Sequence, residues 1–292
     1  MLEILFNVIA PVLICAGLGF YWAKSGRTFH MESVTGLVTN VGAPMLVFST
    51  LINLEMELST FLEFGLLAFY ALLAFIVFGI IALKLLRWPV RDYLSSLIFP
   101  NTGNMGVPLC LFAFGEEGLA FALAFFTVHA VMQFTLGVYI ASGSTSPAQL
   151  AKTPLIYAVI IALALKISGI PTPEWIVDTA KLLGGITIPL MLMALGVSLA
   201  NLSVHHLGKA TALSLLRLVL GFAVGMGLAE IFGLEGVARG VLVLECTMPV
   251  AVFNYLFALR YGRAAGEVAG SVLISTTLSF LTLPILLAYL LS

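Results

Sequence analysis

Two polar clusters sit inside oily stretches of this chain. The first is Phe99-Pro100-Asn101-Thr102-Gly103-Asn104-Met105-Gly106-Val107-Pro108, and the second is Glu245-Cys246-Thr247-Met248-Pro249. A helix crossing lipid should be continuous, because lipid offers no hydrogen bond to a free backbone group. Pro100, Pro108 and Pro249 each lack an N–H, and glycines such as Gly103 tolerate an unwound backbone. Asn101, Thr102 and Asn104 are residue types that cap a restarting helix. Both clusters are therefore expected to break their helices at Pro100, Pro108 and Pro249. Restarting half-helices, expected near 101–106 and near 247–249, would point N–H groups and a positive dipole end inward, which suits a carboxylate. The stopping half-helices would point carbonyls inward, which suits a cation. One crossing of the two breaks could then hold an organic anion beside a coupling ion.

The side chains around the breaks refine this chemistry. Asn101, Thr102, Gly103, Asn104, Thr247, Met248 and Pro249, with Asn254 beyond, are candidate substrate contacts. Glu245 is ionisable deep in an apolar segment, a costly placement that marks function by default. It would bind Na⁺ or carry a proton; the alternative is a carboxylate satisfied by nearby capping groups. His129 and Gln133 stand four residues apart, one helical turn, and could relay protons or touch substrate. A hydrogen-bonded structural histidine is the competing reading. Asn254 and Asn40 also read as interhelical glue. Arg217 lies about two turns from a span end and is expected to snorkel. His205-His206 has too few partners to make a metal site.

The elements that must position these residues follow from composition. Of 292 residues, 61% are hydrophobic and 9% charged, against roughly 25% charged in a soluble domain. The chain is an integral membrane protein with lipid as its solvent. A net charge of −1 gives no hint of nucleic acid. Cys15, Cys110 and Cys246 are isolated, so neither a disulfide framework nor a zinc site is indicated, and no cofactor is expected beyond Na⁺ or H⁺. No basic region precedes the first apolar run, which reads as a span and not as a signal peptide.

Apolar segments of about 20 residues fall at 2–23, 32–52, 61–86, 93–114, 119–142, 154–170, 175–200, 210–232, 237–260 and 267–291, ten spans in all. Lys24, Arg27, Lys84, Arg87, Arg91, Lys152, Lys209, Arg260 and Arg263 follow odd-numbered spans. Glu55, Glu57, Glu63, Glu116, Glu117, Glu174, Asp178 and Glu235 follow even-numbered ones, with Arg239 near the last. Lys/Arg excess marks the cytoplasmic side, so both termini are expected outside. The halves echo each other: Ala43-Pro44-Met45-Leu46-Val47 matches Ile188-Pro189-Leu190-Met191-Leu192, and the broken fourth span matches the broken ninth. Five spans per half make an inverted repeat, whose paired interrupted helices point to a transport site. The fold class is an all-α, polytopic 5+5 arrangement with crossing helices four and nine.

The string from Phe99 to Leu109 resembles the signature of the auxin efflux carrier family, which includes plant auxin exporters and bacterial carriers of malate or malonate type. Pro44, Pro189 and Thr247-Met248-Pro249 extend the likeness over the whole chain. The resemblance implies a homodimeric scaffold of spans 1, 2, 6 and 7 (residues 1–60 and 153–205). It also implies a mobile transport unit of spans 3–5 and 8–10 (61–142 and 206–292), with 143–152 as linker. It places the substrate carboxylate near Asn101 and Asn104. The short linker departs from the long loop of many plant members and favours a carrier of a prokaryotic plasma membrane. A more distant likeness to bile acid:sodium symporters rests on Glu245-Cys246-Thr247-Met248, and implies Na⁺ at Glu245 with Asn104; Pro249 stands where those proteins carry glutamine. Together these readings imply a secondary transporter of a small organic anion, a mono- or dicarboxylate, coupled to Na⁺ or H⁺ by elevator-type alternating access. A bile-acid-like symporter and an anion channel are the alternatives. An enzyme is not expected, because no serine or cysteine motif accompanies His129 and Glu245.

Overall fold

The computed structural model describes residues 2–53, 57–143, 154–201 and 207–291. Most of the 143–152 linker, Glu55, and the pair His205-His206 lie outside the described residues. Eleven helices are found among them: α1 (Leu2–Lys24), α2 (Met31–Asn53), α3 (Leu58–Leu85), α4 (Val90–Ile98), α5 (Thr102–Ser142), α6 (Pro154–Ser168), α7 (Glu174–Asn201), α8 (Leu207–Ile231), α9 (Gly236–Thr247), α10 (Val252–Arg260) and α11 (Ala265–Leu290). Seven of them are long and apolar enough to cross a membrane: α1, α2, α3, α5, α7, α8 and α11. The protein is thus an all-helical, multi-pass membrane protein.

The helices behave as lipid requires. Along α3 the residues Phe61, Phe64, Ala68, Leu72 and Phe75 are buried, while Leu62, Leu66, Phe69, Leu73 and Val77 are exposed. One face packs inward and an equally apolar face meets hydrocarbon, the pattern of a helix that is hydrophobic all round. α5 runs for 41 residues because it doubles back. Gly115 has φ +67° and ψ −156°, a backbone open to glycine and strained for other residues. This reversal falls between the fourth and fifth apolar segments.

Packing sorts the helices into two sets. α1 lies along α7, and α2 packs on α6 and α7. In the other set α8 packs on α9 and α11, α3 on α4 and α5, α5 on α9, and α10 on α11. The α1–α7 contact is backbone to backbone. A Cβ on Gly196 would lie 2.8 Å from the Phe20 nitrogen, and one on Gly19 would lie 2.9 Å from the Met193 Cα. Small residues at such crossings let helices in lipid gain dispersion energy. Gly196→Val is therefore expected to cost about 3 kcal/mol or more, since overpacking here pushes on backbone. Gly17→Val, whose Cβ meets nothing within 4 Å, is the control. Thermal denaturation in detergent should separate the two variants; equal melting would refute the close-contact argument.

α2 and α7 carry matching irregularities before their prolines. A π-helical turn spans Val38–Gly42 ahead of Pro44, and the helix is interrupted at Ile186 ahead of Pro189. They meet each other: a Cβ on Gly42 would lie 2.6 Å from the Thr187 hydroxyl. Gly184 serves close packing, its Cβ position being 2.8 Å from the Leu46 backbone. Asn40 does not glue helices together. Its amide donates to the Gly36 carbonyl one turn back (2.8 Å) and its side chain is exposed.

Candidate functional site

Both expected breaks are present, and they touch. α4 stops at Ile98 and α5 begins at Thr102; α9 stops at Thr247 and α10 begins at Val252. The extended pieces between them pair as an antiparallel bridge, Pro100 against Val250. Asn101 N–H donates to the Pro249 carbonyl (2.8 Å), and Ala251 N–H donates to the Phe99 carbonyl (3.3 Å). The Asn254 amide adds a bond to the same Phe99 carbonyl (3.0 Å) and accepts one from the Gln133 amide (3.3 Å). Backbone groups that unwinding would strand in lipid are paired across the crossing. Val250 N–H donates to the Ser275 hydroxyl of α11 (3.1 Å).

Several expectations from the sequence need correction at this crossing. Pro108 does not break the helix. It sits in the first turns after a π-helical segment, Thr102–Gly106, and α5 continues through it. The wider π turn accommodates a residue with no N–H. Asn101 is the residue before the restart, but its side chain makes no capping bond. The second restart lies at Val252, later than expected. Thr247 ends the stopping helix, and its hydroxyl bonds back to the Val243 carbonyl (2.7 Å). Thr247, Met248 and Pro249 are therefore not cavity residues; Ala251, Val252 and Phe253 are.

A cavity of about 250 Å³ opens beside the crossing. Pro100, Asn101, Thr102, Gly103 and Asn104 form one wall, and Ala251, Val252 and Phe253 form another. The remaining walls are mostly apolar, with Phe126, Phe134 and Met191 among them, and Gln133 contributes an amide. Among the described residues, no Lys, Arg, Asp or Glu lines it. Gly103 and Asn104 at one restart, and Val252 and Phe253 at the other, occupy first-turn positions where a helix supplies no acceptor for the N–H. The cavity thus receives the positive ends of two half-helices. The Asn101 side-chain nitrogen is buried there without a hydrogen-bond partner among the described residues.

A second cavity, about 1040 Å³, lies at the other end of the same seam. α2 lines the first cavity with Met31, Val34 and Thr35 and the second with Ser49, Thr50 and Asn53. α7 does the reverse, with Ser198 and Asn201 in the first and Lys181, Gly184 and Gly185 in the second. Glu116 and Glu117, beside the Gly115 reversal, also line the second cavity. The Gly42–Thr187 contact joins the first-cavity part of α2 to the second-cavity part of α7.

Glu245 and Asn104 are not brought together in one cavity. Asn104 lines the first cavity, whereas Glu245 is fully buried behind the crossing. The Cys110 thiol donates to one carboxyl oxygen (3.7 Å), and the other oxygen has no partner among the described residues. A Cβ on Gly106 would lie 2.6 Å from the Glu245 carboxyl carbon. Gly106 is thus the residue that makes room for this carboxyl, a role that the sequence alone does not show.

His129 and Gln133 are both buried but do different things. His129 stacks on Phe125 (4.3 Å, 9°) and meets Phe75 edge-on (6.3 Å), and among the described residues neither ring nitrogen meets a hydrogen-bond partner in normal geometry. Gln133 begins a π-helical turn and reaches Asn254. Asn254 is the glue of the crossing and does not line the cavity.

Arg217 departs most from expectation. It does not snorkel: it is fully buried. Its guanidinium donates to the carbonyls of Leu97, Cys246 and Met248, the last at 3.3 Å, and lies 4.4 Å over the Phe75 ring. The carbonyl ends of both stopping half-helices converge on this one side chain.

Comparison with known proteins agrees with this architecture. The family described as "Membrane transport protein" matches residues 4–150 and 143–287. An uncharacterized transporter of Methanocaldococcus jannaschii is 27% identical, over 95% of this chain and 96% of that protein. An uncharacterized transporter of Methanothermobacter thermautotrophicus is also 27% identical, over 96% of each.

Proposed function

The chain belongs to the membrane transport protein family, the auxin-efflux-carrier-like group that its Phe99–Leu109 string resembles, and on that premise we propose that it is a secondary carrier of a small organic anion. It is a membrane transporter and not an enzyme. The observation that carries the anion reading is the pair of helix N-termini opening into one cavity without charged side chains among the described residues. Oriented N–H groups and aligned dipoles favour an anion where no fixed cation is needed. The Asn101 amide, buried and unpartnered, is placed to donate to the same carboxylate. Apolar walls suit a monocarboxylate with a hydrophobic body better than a second free charge.

The transport step is read as alternating access. α1, α2, α6 and α7 form the scaffold, and the remaining helices move as a unit that carries the crossing. Two cavities at opposite ends of the seam between these sets support this reading. The Gly115 reversal divides α5 into two limbs, and α4–α5 and α9–α10 each count as one interrupted span. On that count the chain has ten spans in two inverted halves, both termini outside, and it pairs as a homodimer through its scaffold. Glu245 is the coupling group and takes up a proton, since Gly106 and Cys110 close around it and leave little room for a hydrated ion.

A thermal-shift screen of the purified protein tests the reading. Indole and other aromatic monocarboxylates, dicarboxylates and bile acids are compared, each with and without Na⁺. A true ligand at 100 times its dissociation constant stabilises the fold by about 2.7 kcal/mol. A monocarboxylate is expected to raise the melting temperature; silence from every organic anion would remove the anion assignment.

A further inference from the structure

We propose that Arg217 is the resident cation of the crossing, a fixed positive charge in the position that a coupling metal cation would otherwise take. Two helices end here. α4 delivers the Leu97 carbonyl, and α9 delivers the carbonyls of Cys246 and Met248. Their negative dipole ends face each other inside the protein, where Leu97, Cys246 and Met248 are fully buried. Unwound carbonyls of this kind are what coordinates Na⁺ in carriers with broken helices. In this chain they are already answered. The three nitrogens of one guanidinium reach three carbonyls on two half-helices about 150 positions apart in the sequence. A planar fork suits that geometry, and the three directional donors of a lysine ammonium on a flexible stem fit it less well.

The surrounding residues are built for this occupant. Gly221 stands one turn along α8 from Arg217, where a Cβ would lie 2.9 Å from the Arg217 Nη2 and would strike the Cys246 carbonyl. Gly225, one turn further, would place a Cβ 3.0 Å from the Val243 Cα. These two glycines let α8 press against α9, so that the guanidinium reaches the helix end. Phe75 closes the other side with its ring face, a favourable surface for a cation out of water. Among the described residues the guanidinium has no carboxylate within ion-pair distance, so its charge is spent on the helix ends. The consequence is that the crossing keeps one geometry through the transport cycle without taking up or releasing a metal ion. This inference concerns the carbonyl side of the site described under Proposed function and does not depend on the identity of the anion.

The test compares full-length wild type, Arg217→Lys and Arg217→Gln by thermal denaturation in NaCl, KCl and choline chloride at equal ionic strength, with no organic anion present. Wild type should melt at the same temperature in all three salts. Arg217→Gln should melt about 5 °C lower or more and recover part of the loss in Na⁺ or K⁺ but not in choline. Arg217→Lys should fall between the two and ignore the salt. Three results would overturn the proposal: Na⁺ stabilising wild type over choline, Arg217→Gln melting like wild type, or Arg217→Gln losing stability with no response to either metal cation. If Arg217→Gln does not fold, the salt indifference of wild type and of Arg217→Lys still decides. Absence of an anion ligand would sink the carrier reading and leave these salt comparisons untouched.

Discussion

Glu245→Gln should abolish concentrative uptake while leaving substrate counterflow in place. The carboxyl is fully buried, one oxygen meets only the Cys110 thiol, and the other meets nothing among the described residues. A lone charge held this way is costly, by several kcal/mol even for a single ion in a protein interior. The group is tolerable when it carries a proton, and a glutamine of the same shape imitates that form permanently. A carrier locked in the proton-loaded form can still shuttle between its two faces with substrate. It can no longer draw energy from a proton gradient. Accumulation in proteoliposomes should therefore fall to equilibration, while exchange of labelled for unlabelled substrate stays within about threefold of wild type, a difference below 1 kcal/mol. Accumulation that survives in Glu245→Gln would show that the coupling group lies elsewhere.

Asn101→Leu is the second large effect, and it acts on binding. The Asn101 side-chain nitrogen is buried at the restart of α5 with no acceptor among the described residues, and Asn101 is part of the cavity wall. A hydrogen bond to a charged group is worth about 1.5–3 kcal/mol, and each 1.4 kcal/mol is about tenfold in affinity. The dissociation constant for the anion should rise about 10- to 150-fold. The fold should persist, because the main-chain N–H of residue 101 keeps its bond to Pro249. Titration calorimetry on the ligand found in the thermal screen checks this. Unchanged affinity would mean that the carboxylate sits elsewhere than beside Asn101.

The breaks are legible in the sequence because proline, glycine and asparagine have few other uses inside lipid. Pro100-Asn101-Thr102-Gly103-Asn104 marks the region of the first restart, expected near 101–106 and found at Thr102, since the polar cluster lies on it. The second restart lies a few positions beyond the expected one. Pro249 marks where α9 cannot continue, but the extended Val250-Ala251 that follows is apolar and carries no turn signature. Pro108 misleads for the opposite reason. Proline is disruptive in a regular helix interior, but a π turn just before it removes the conflict. The Gly115 reversal shows in the sequence as a gap between two apolar segments.

Arg217 is out of reach of local reasoning. Counting turns to the nearest helix end suggests snorkelling, and nothing nearby in the sequence contradicts it. Its partners lie 29, 31 and 120 positions away, so only the tertiary arrangement reveals them. His129 is a similar case. Its one-turn spacing from Gln133 suggests a shared task, but Phe75 and Phe125 claim its ring while Gln133 turns to Asn254. Glycines teach the same lesson on a smaller scale. Gly106, Gly196 and Gly221 look alike in the sequence, yet one makes room for a carboxyl, one for a helix backbone and one for a guanidinium.

The short stretch where Pro100 lies against Val250 has an evolutionary consequence. Its bridge binds the first half of the polypeptide to the second through main-chain hydrogen bonds, which a side-chain replacement does not remove directly. Should the halves descend from one duplicated ancestor, their outer surfaces were free to drift apart, while the strip that joins them had to keep its register. Residues 99–101 and 249–251 are where that shared history should have left the least room for change.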